Sequence, residues 1–179
     1  MAMKKQFTIS IYTENLIGLL HRVTIIFTRR HINIESITAS ESEVKDIHRY
    51  TIVVTEEEAL VKRVIQQLEK QIDVFKAFYH PNENIVFQEM ALYKIPTSKL
   101  SESKEVEKIV RQHHARLLAV EPEFTIIEKT GFKEETQALF DELQEHGVLE
   151  FVRSGRVSIS KPMKEFQDYF LEVEKASKH

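Results

Sequence analysis

The hydrophobic period of this chain alternates between two residues and three-to-four residues in the same order twice, and that doubling restricts the folds open to it. Phe7, Ile9 and Ile11 alternate with Thr8, Ser10 and Tyr12, the period of a strand with one buried face. From Gly18 the apolar residues Leu19, Leu20, Val23, Ile26 and Phe27 recur at helical steps, leaving Arg22, Arg29 and Arg30 on other faces. Ile32, Ile34 and Ile37 resume a strand, 40–46 supply a polar hairpin loop, and 47–54 is rich in β-branched residues. Thr55-Glu56-Glu57-Glu58 reads as a capping box that opens a second helix, with Leu60, Val61, Val64, Ile65 and Leu68 on its apolar face. A fourth strand at 72–79 stops at His80-Pro81-Asn82-Glu83-Asn84.

The same order then recurs without evident residue identity. Residues 85–95 are strand-like, 96–101 read as a loop, and Val106, Ile109, Val110 and His113 mark a helix. Short strands at 117–120 and 124–127 flank Glu121-Pro122-Glu123, and Phe132, Leu139, Phe140 and Leu143 mark the next helix, which Gly147 ends. Residues 148–152 form the last paired strand, 157–160 are in position to extend the sheet, and 163–175 have the pattern of a terminal helix. Right-handed crossovers then give each copy an antiparallel four-stranded sheet with both helices on one face. The expected class is α+β: two tandem ferredoxin-like βαββαβ domains at 1–80 and 85–179, joined by a linker at 81–84. The helix-free face of the first sheet has no evident cover in the sequence, and an exposed apolar face would favour dimerisation.

Composition narrows the function. With 28 acidic against 25 basic side chains the net charge is −3, so no general basic field draws the chain to nucleic acid or to an anionic membrane. The chain has no cysteine, which removes disulfides, thiolate metal sites and cysteine nucleophiles, and is compatible with the cytoplasm. The basic start Met1-Ala2-Met3-Lys4-Lys5 is followed by polar interruptions that suit a strand better than a signal peptide. No apolar run approaches the length of a bilayer span.

One stretch carries chemistry. In Glu14-Asn15-Leu16-Ile17-Gly18-Leu19-Leu20 the glycine stands where the first strand turns into the first helix, and helix-opening N–H groups lack intrahelical partners and lie at the positive end of the macrodipole. Such a place suits a carboxylate. Asn15 and, across the helix, Asn33 offer amide groups able to recognise the rest of a small zwitterion. The blander reading of the same residues is a turn glycine with positive φ and two asparagines serving as cap and turn former. Adjacent His113 and His114 point about 100° apart on a helix and do not chelate as an i, i+4 pair does. Arg29-Arg30-His31 complement a helix C-terminus, and the carboxylates at 56–58 and 134–135 complement helix starts.

The run Glu14-Asn15-x-x-Gly18-x-Leu20-x-Arg22-Val23, the Phe27–Arg29 helix end and Asn33-Ile34-Glu35-Ser36 resemble the small regulatory subunit of acetohydroxyacid synthase, also called acetolactate synthase. Pro81–Asn84, the strand leading to Lys94-Ile95 and the late Arg153-Ser154-Gly155 extend the resemblance over nearly the whole chain. The resemblance implies an N-terminal ACT domain, a C-terminal ferredoxin-like regulatory domain and no catalysis by this chain. It implies a catalytic large subunit as partner, which would carry thiamine diphosphate, magnesium and FAD, and feedback inhibition by valine or a related branched-chain amino acid. It also implies a homodimer through the ACT domains with the effector between them. Carried over by position, Gly18 and its neighbours Ile17 and Leu19 hold the carboxylate, Asn15 adds a side-chain contact, and Asn33 with Ile34 meets the ligand from the other subunit. Where the family has a small residue or proline before the glycine, this chain has Ile17, followed after the glycine by Leu19. These side chains either fill part of the pocket or pack at the dimer interface.

Two alternatives belong to other classes. An acylphosphatase-like enzyme on the same sheet needs a glycine-rich phosphate loop, whereas the four glycines stand apart at 18, 131, 147 and 155. A free-standing ACT-domain sensor or transcriptional regulator lacks a helix-turn-helix candidate, since every helix alternates with strands.

Overall fold

The computed structural model describes residues 3–42, 44–102, 104–161, 171 and 175. Its backbone divides into two compact units, Met1–Val86 with the chain from Arg156 onward, and Phe87–Gly155. The expected terminal helix at 163–175 falls almost entirely outside the described residues.

The first unit holds β1 (Lys5–Glu14), α1 (Leu19–Thr28), β2 (Ser36–Glu41), β3 (Ile47–Glu56), α2 (Glu58–Leu68) and β4 (Val74–Pro81). Its antiparallel sheet has the order β2-β3-β1-β4. Phe7, Ile9 and Ile11 of β1 lie opposite Val54, Ile52 and Tyr50 of β3, so one face of the central pair is continuously apolar. Val23, Phe27, Val61 and Leu68 of the two helices close over it, and all are buried. Burying apolar side chains on that scale, at about 1.5–3 kcal/mol each, is what holds helices of only 10 and 11 residues in place, since helices this short are marginal alone.

The opposite face departs from expectation. It mixes polar with apolar side chains and is not bare: Thr8, Ser10 and Thr51, together with Tyr12, Ile47 and Val53, alternate with the core residues and are themselves buried. The stretch after Gly155 lies on this face. The Arg156 guanidinium donates to Thr8 Oγ1 at 2.7 Å, Asn82 Oδ1 at 2.9 Å and Gln6 Oε1 at 2.7 Å, while its carbonyl accepts from Thr38 Oγ1 at 3.2 Å. Arg49 donates to Ser10 Oγ at 3.2 Å and to the Ser158 carbonyl at 2.7 Å. Polar groups taken out of water need such partners, and here the chain's own distant segment supplies them.

The capping box at 55–58 is also corrected. Register between β1 and β3 continues to Lys5 opposite Glu56, so Thr55 is still a strand residue, and its hydroxyl donates to Glu35 instead of accepting from a helix-opening N–H. Helix α2 starts at Glu58 behind an extended Glu57, with no side-chain cap.

The second unit contains most of β5 (Ile85–Pro96), then α3 (Thr97–Glu102), α4 (Lys104–Gln112), β6 (Arg116–Val120), β7 (Phe124–Gly131), α5 (Lys133–Gln144) and β8 (Glu150–Arg153). The order is β6-β7-β5-β8; β9 (Val157–Ser160) belongs to the first unit. The short helix α3 replaces the loop expected at 96–101. Phe132, expected on the helix's apolar face, precedes α5 as its N-cap; its N–H donates to Glu135 Oε2 at 2.7 Å and its ring is exposed against Phe87. Tyr93, Ile95, Ile127, Leu139 and Leu143 form the centre of this core. The Tyr93 hydroxyl donates to the Thr136 carbonyl at 2.7 Å, and burial pushes its phenol far above the ordinary range.

Candidate functional site

Where β1 ends, the chain turns through 15–18 and enters α1. The Asn15 N–H donates to the Asp46 carbonyl at 3.2 Å, the Leu19 N–H closes the turn on Leu16 O at 3.3 Å, and Gly18 adopts φ 82° and ψ −3° before the first helical residue. That left-handed conformation is costly for any residue with a Cβ, which accounts locally for the glycine. A Cβ built there would meet nothing within 4 Å, so the space beside Gly18 is open. No side chain caps α1, and among the described residues the Leu20 and His21 N–H groups have no backbone acceptor. These unpaired donors at the positive end of the helix dipole are what an anionic group would meet. Arg22, one turn in, is paired with Asp73, whose carbonyl also accepts from the Glu14 N–H at 3.1 Å.

The expected site residues separate into those at this turn and those elsewhere. Asn15, Ile17 and Gly18 are exposed at the turn, and Ile17 projects completely into solvent. Leu19 is different: at 1% exposure its side chain belongs to the interior, and only its backbone belongs to the turn. Its expected place as a pocket-lining side chain is therefore revised to that of a core residue; the helical period that puts Leu19 in phase with Val23 and Ile26 required it. Truncation should separate the two neighbours. Leu19→Ala is expected to cost roughly 2–5 kcal/mol in unfolding free energy, whereas Ile17→Ala stays within about 0.5 kcal/mol, as is usual for surface changes; chemical denaturation of both variants checks this.

Asn33 and Ile34 lie past the other end of the helix. The chain leaves α1 through Arg29, takes a left-handed step at His31 (φ 54°), buries Ile32 and exposes Asn33 before Ile34 packs partly against the core. With 10 residues in α1, the two ends are separated by about 15 Å along the axis. Within one chain, therefore, Gly18 and Asn33 do not form one site. A ligand touching both requires a second copy.

Sequence reasoning missed the buried polar groups near this end of the sheet. His48 lies opposite Thr13, at the end of β1 that leads into the turn, and its buried Nε2 has no hydrogen-bond partner. His113, considered earlier for metal, is 2.9 Å from Glu142 Oε1. Among the described residues no group of three or more His, Asp or Glu side chains is placed to hold a metal ion, and no helix is long and apolar enough to cross a membrane.

Two family models match. Residues 9–76 match the AHAS small subunit-like ACT domain, and residues 88–162 match the small subunit of acetolactate synthase. The acetolactate synthase small subunit of Mycobacterium bovis is 36% identical over 157 residues, covering 88% of this chain and 93% of that protein. Its counterpart from Bacillus subtilis is 35% identical over 160 residues, covering 89% and 91%. Among solved structures, the acetolactate synthase small subunit from Thermotoga maritima superposes with a TM-score of 0.80 at 29% identity, over 88% of this chain and 98% of that one.

Proposed function

Because this chain belongs to the family of acetolactate synthase small subunits, we propose that it regulates a catalytic large subunit by binding a branched-chain amino acid, valine in the first instance, between two copies of its first unit. It is a regulatory subunit and not itself the catalyst. Thiamine diphosphate, magnesium and FAD would all sit on the catalytic partner, and the complex would work in the cytoplasm.

The observation that supports the shared pocket is the separation of Gly18 from Asn33 by the length of α1. The carboxylate would accept from the unpaired N–H groups beyond Gly18, with the Asn15 amide beside it. Asn33 and Ile34 of the second copy would contact the ammonium group and the aliphatic side chain. Ile17, exposed and directly before the glycine, would narrow the pocket or pack against the partner, which makes it the residue most able to set the preference among valine, leucine and isoleucine. We assign 1–80 to effector binding and dimerisation and 85–179 to regulation of the partner. A free-standing ACT-domain sensor would leave the family match over 88–162 without a use. An acylphosphatase-like role would need a phosphate loop that four dispersed glycines do not supply.

Reconstitution tests the reading. Adding this chain to a catalytic subunit from the same cell is expected to raise acetolactate formation several-fold, and valine to reverse much of that gain. Absence of activation at every ratio would overturn the regulatory assignment. Activation that no branched-chain amino acid reverses would overturn the effector site while leaving the partnership intact.

A further inference from the structure

Strand β6 is the outermost strand of the second sheet, and among the described residues it has a neighbour on one side only. Native proteins blunt such edges with charge, proline or brevity. Two other edges follow that practice: β4 carries Lys76 and Pro81, and β8 is four residues long with Glu150 and Arg153 at its ends, while β2 ends on Glu41. In β6, by contrast, Leu117 is 41% exposed, Leu118 52% and Val120 55%. All three stay open to solvent, unlike the buried side chains that make up the unit's core.

The two faces of β6 can be assigned from its register. Leu117 lies opposite Ile127 and Val120 opposite Thr125, and both partners are fully buried, so Leu117 and Val120 stand on the core-facing side. Arg116 lies opposite Glu128 and Ala119 opposite Ile126, on the other side. A bulge between Leu117 and Ala119 permits this by spending Leu118 as an extra residue.

We propose that the free edge of β6 pairs antiparallel with β6 of a second copy of this chain, about a twofold axis between Leu118 and Ala119. In that register Leu117 faces Val120 of the second copy on the core side, and Arg116 faces the exposed Glu121 on the other, so apolar meets apolar and the charges are opposite. Paired residues in an antiparallel ladder must point to one face, and the bulge makes both pairs obey this. Moving the axis onto Leu118 sets Arg116 against Val120, and moving it onto Ala119 sets Leu117 against Glu121; either choice loses the match. Pro122 then ends the ladder. A twofold contact of this kind uses one patch on both subunits, and it stands independently of any pairing through the first unit.

The chain has no cysteine, so introduced thiols report without background. Full-length Leu117→Cys and Val120→Cys chains, one carrying a mass tag, are mixed and oxidised. The expected product is the mixed 117–120 disulfide, in at least fivefold excess over either self-linked dimer. A statistical mixture of about two to one, or no cross-link in a chain that remains associated, would overturn the register. Sedimentation of full-length Leu118→Lys, checked for fold by circular dichroism, is expected to show a self-association constant weakened at least tenfold or a lower mass. An unchanged association would overturn the contact itself.

Discussion

Replacing Gly18 by aspartate is expected to abolish the response to valine while leaving the chain folded and able to activate its catalytic partner. Three observations set this expectation. The glycine's φ of 82° can be occupied by aspartate at a cost of about 1–2 kcal/mol, which a unit with this core tolerates. A Cβ at 18 meets nothing within 4 Å, so the substitution has room. The new carboxylate then occupies the end of α1 at which a ligand carboxylate would be held, replacing attraction to open N–H groups with repulsion between like charges. Loss of a charge-assisted contact to those donors is worth about 1.5–3 kcal/mol, and repulsion adds to it. Valine affinity by calorimetry is therefore expected to fall by at least a hundredfold, with the activation ratio at zero valine unchanged. Retained binding would show that the ligand is held elsewhere. Loss of activation as well would show that the turn also serves the partner contact.

The second large effect lies far from that turn. Arg156→Ala removes three side-chain hydrogen bonds, to Thr8, Asn82 and Gln6, from the helix-free face of the first sheet. Thr8 is fully buried, so its hydroxyl loses a charged donor in a place where water is scarce. Hydrogen bonds to charged groups contribute about 1.5–3 kcal/mol each and are not additive here because they share one guanidinium; a loss of about 3 kcal/mol for the set is expected. At roughly 4–8 °C per kcal/mol for a unit of about 100 residues, the thermal midpoint of the first unit should fall by about 10 °C or more. Arg156→Lys should recover only part of this, because an ammonium cannot form the planar fork. Arg111→Ala provides the contrast: its ion pair with Glu107 is exposed and 3.6 Å long, and the midpoint should barely move. Calorimetric scans of the three variants, with loss of hydrogen-exchange protection at β1 in the first, would decide the matter. An unperturbed β1 in Arg156→Ala would mean that the segment after Gly155 adds nothing to the sheet.

The two experiments sample the chain at opposite extremes of legibility. Gly18 could be read as special because its reason is local: one residue joins a period-two strand to a period-3.6 helix, and only glycine enters that turn freely. Leu19, its neighbour, was assigned to the ligand by position in a motif, although the helical period already placed it with Val23 and Ile26 in the core. Asn33 lies exposed past the far end of α1 from Gly18, and the length of that helix keeps the two apart within one chain. Thr55 misled because a threonine followed three residues later by glutamate signals a helix start only if the preceding strand has ended. Pairing with Lys5 through Gln6 held β3 extended past it. Arg156 could not have been found at all, since its partner Thr8 lies 148 positions away.

Sequence by itself determined the repeated βαββαβ order, the apolar faces of β1, β3, α1 and α2, and the glycine at the β1–α1 turn. All of these follow from periodicities and backbone preferences that act over a few residues. Tertiary structure alone decided what covers the second face of the first sheet, where β3 stops, and that among the described residues β6 has a neighbour on one side only. Each of these depends on contacts between residues far apart in the chain, whose free energies a local pattern does not contain.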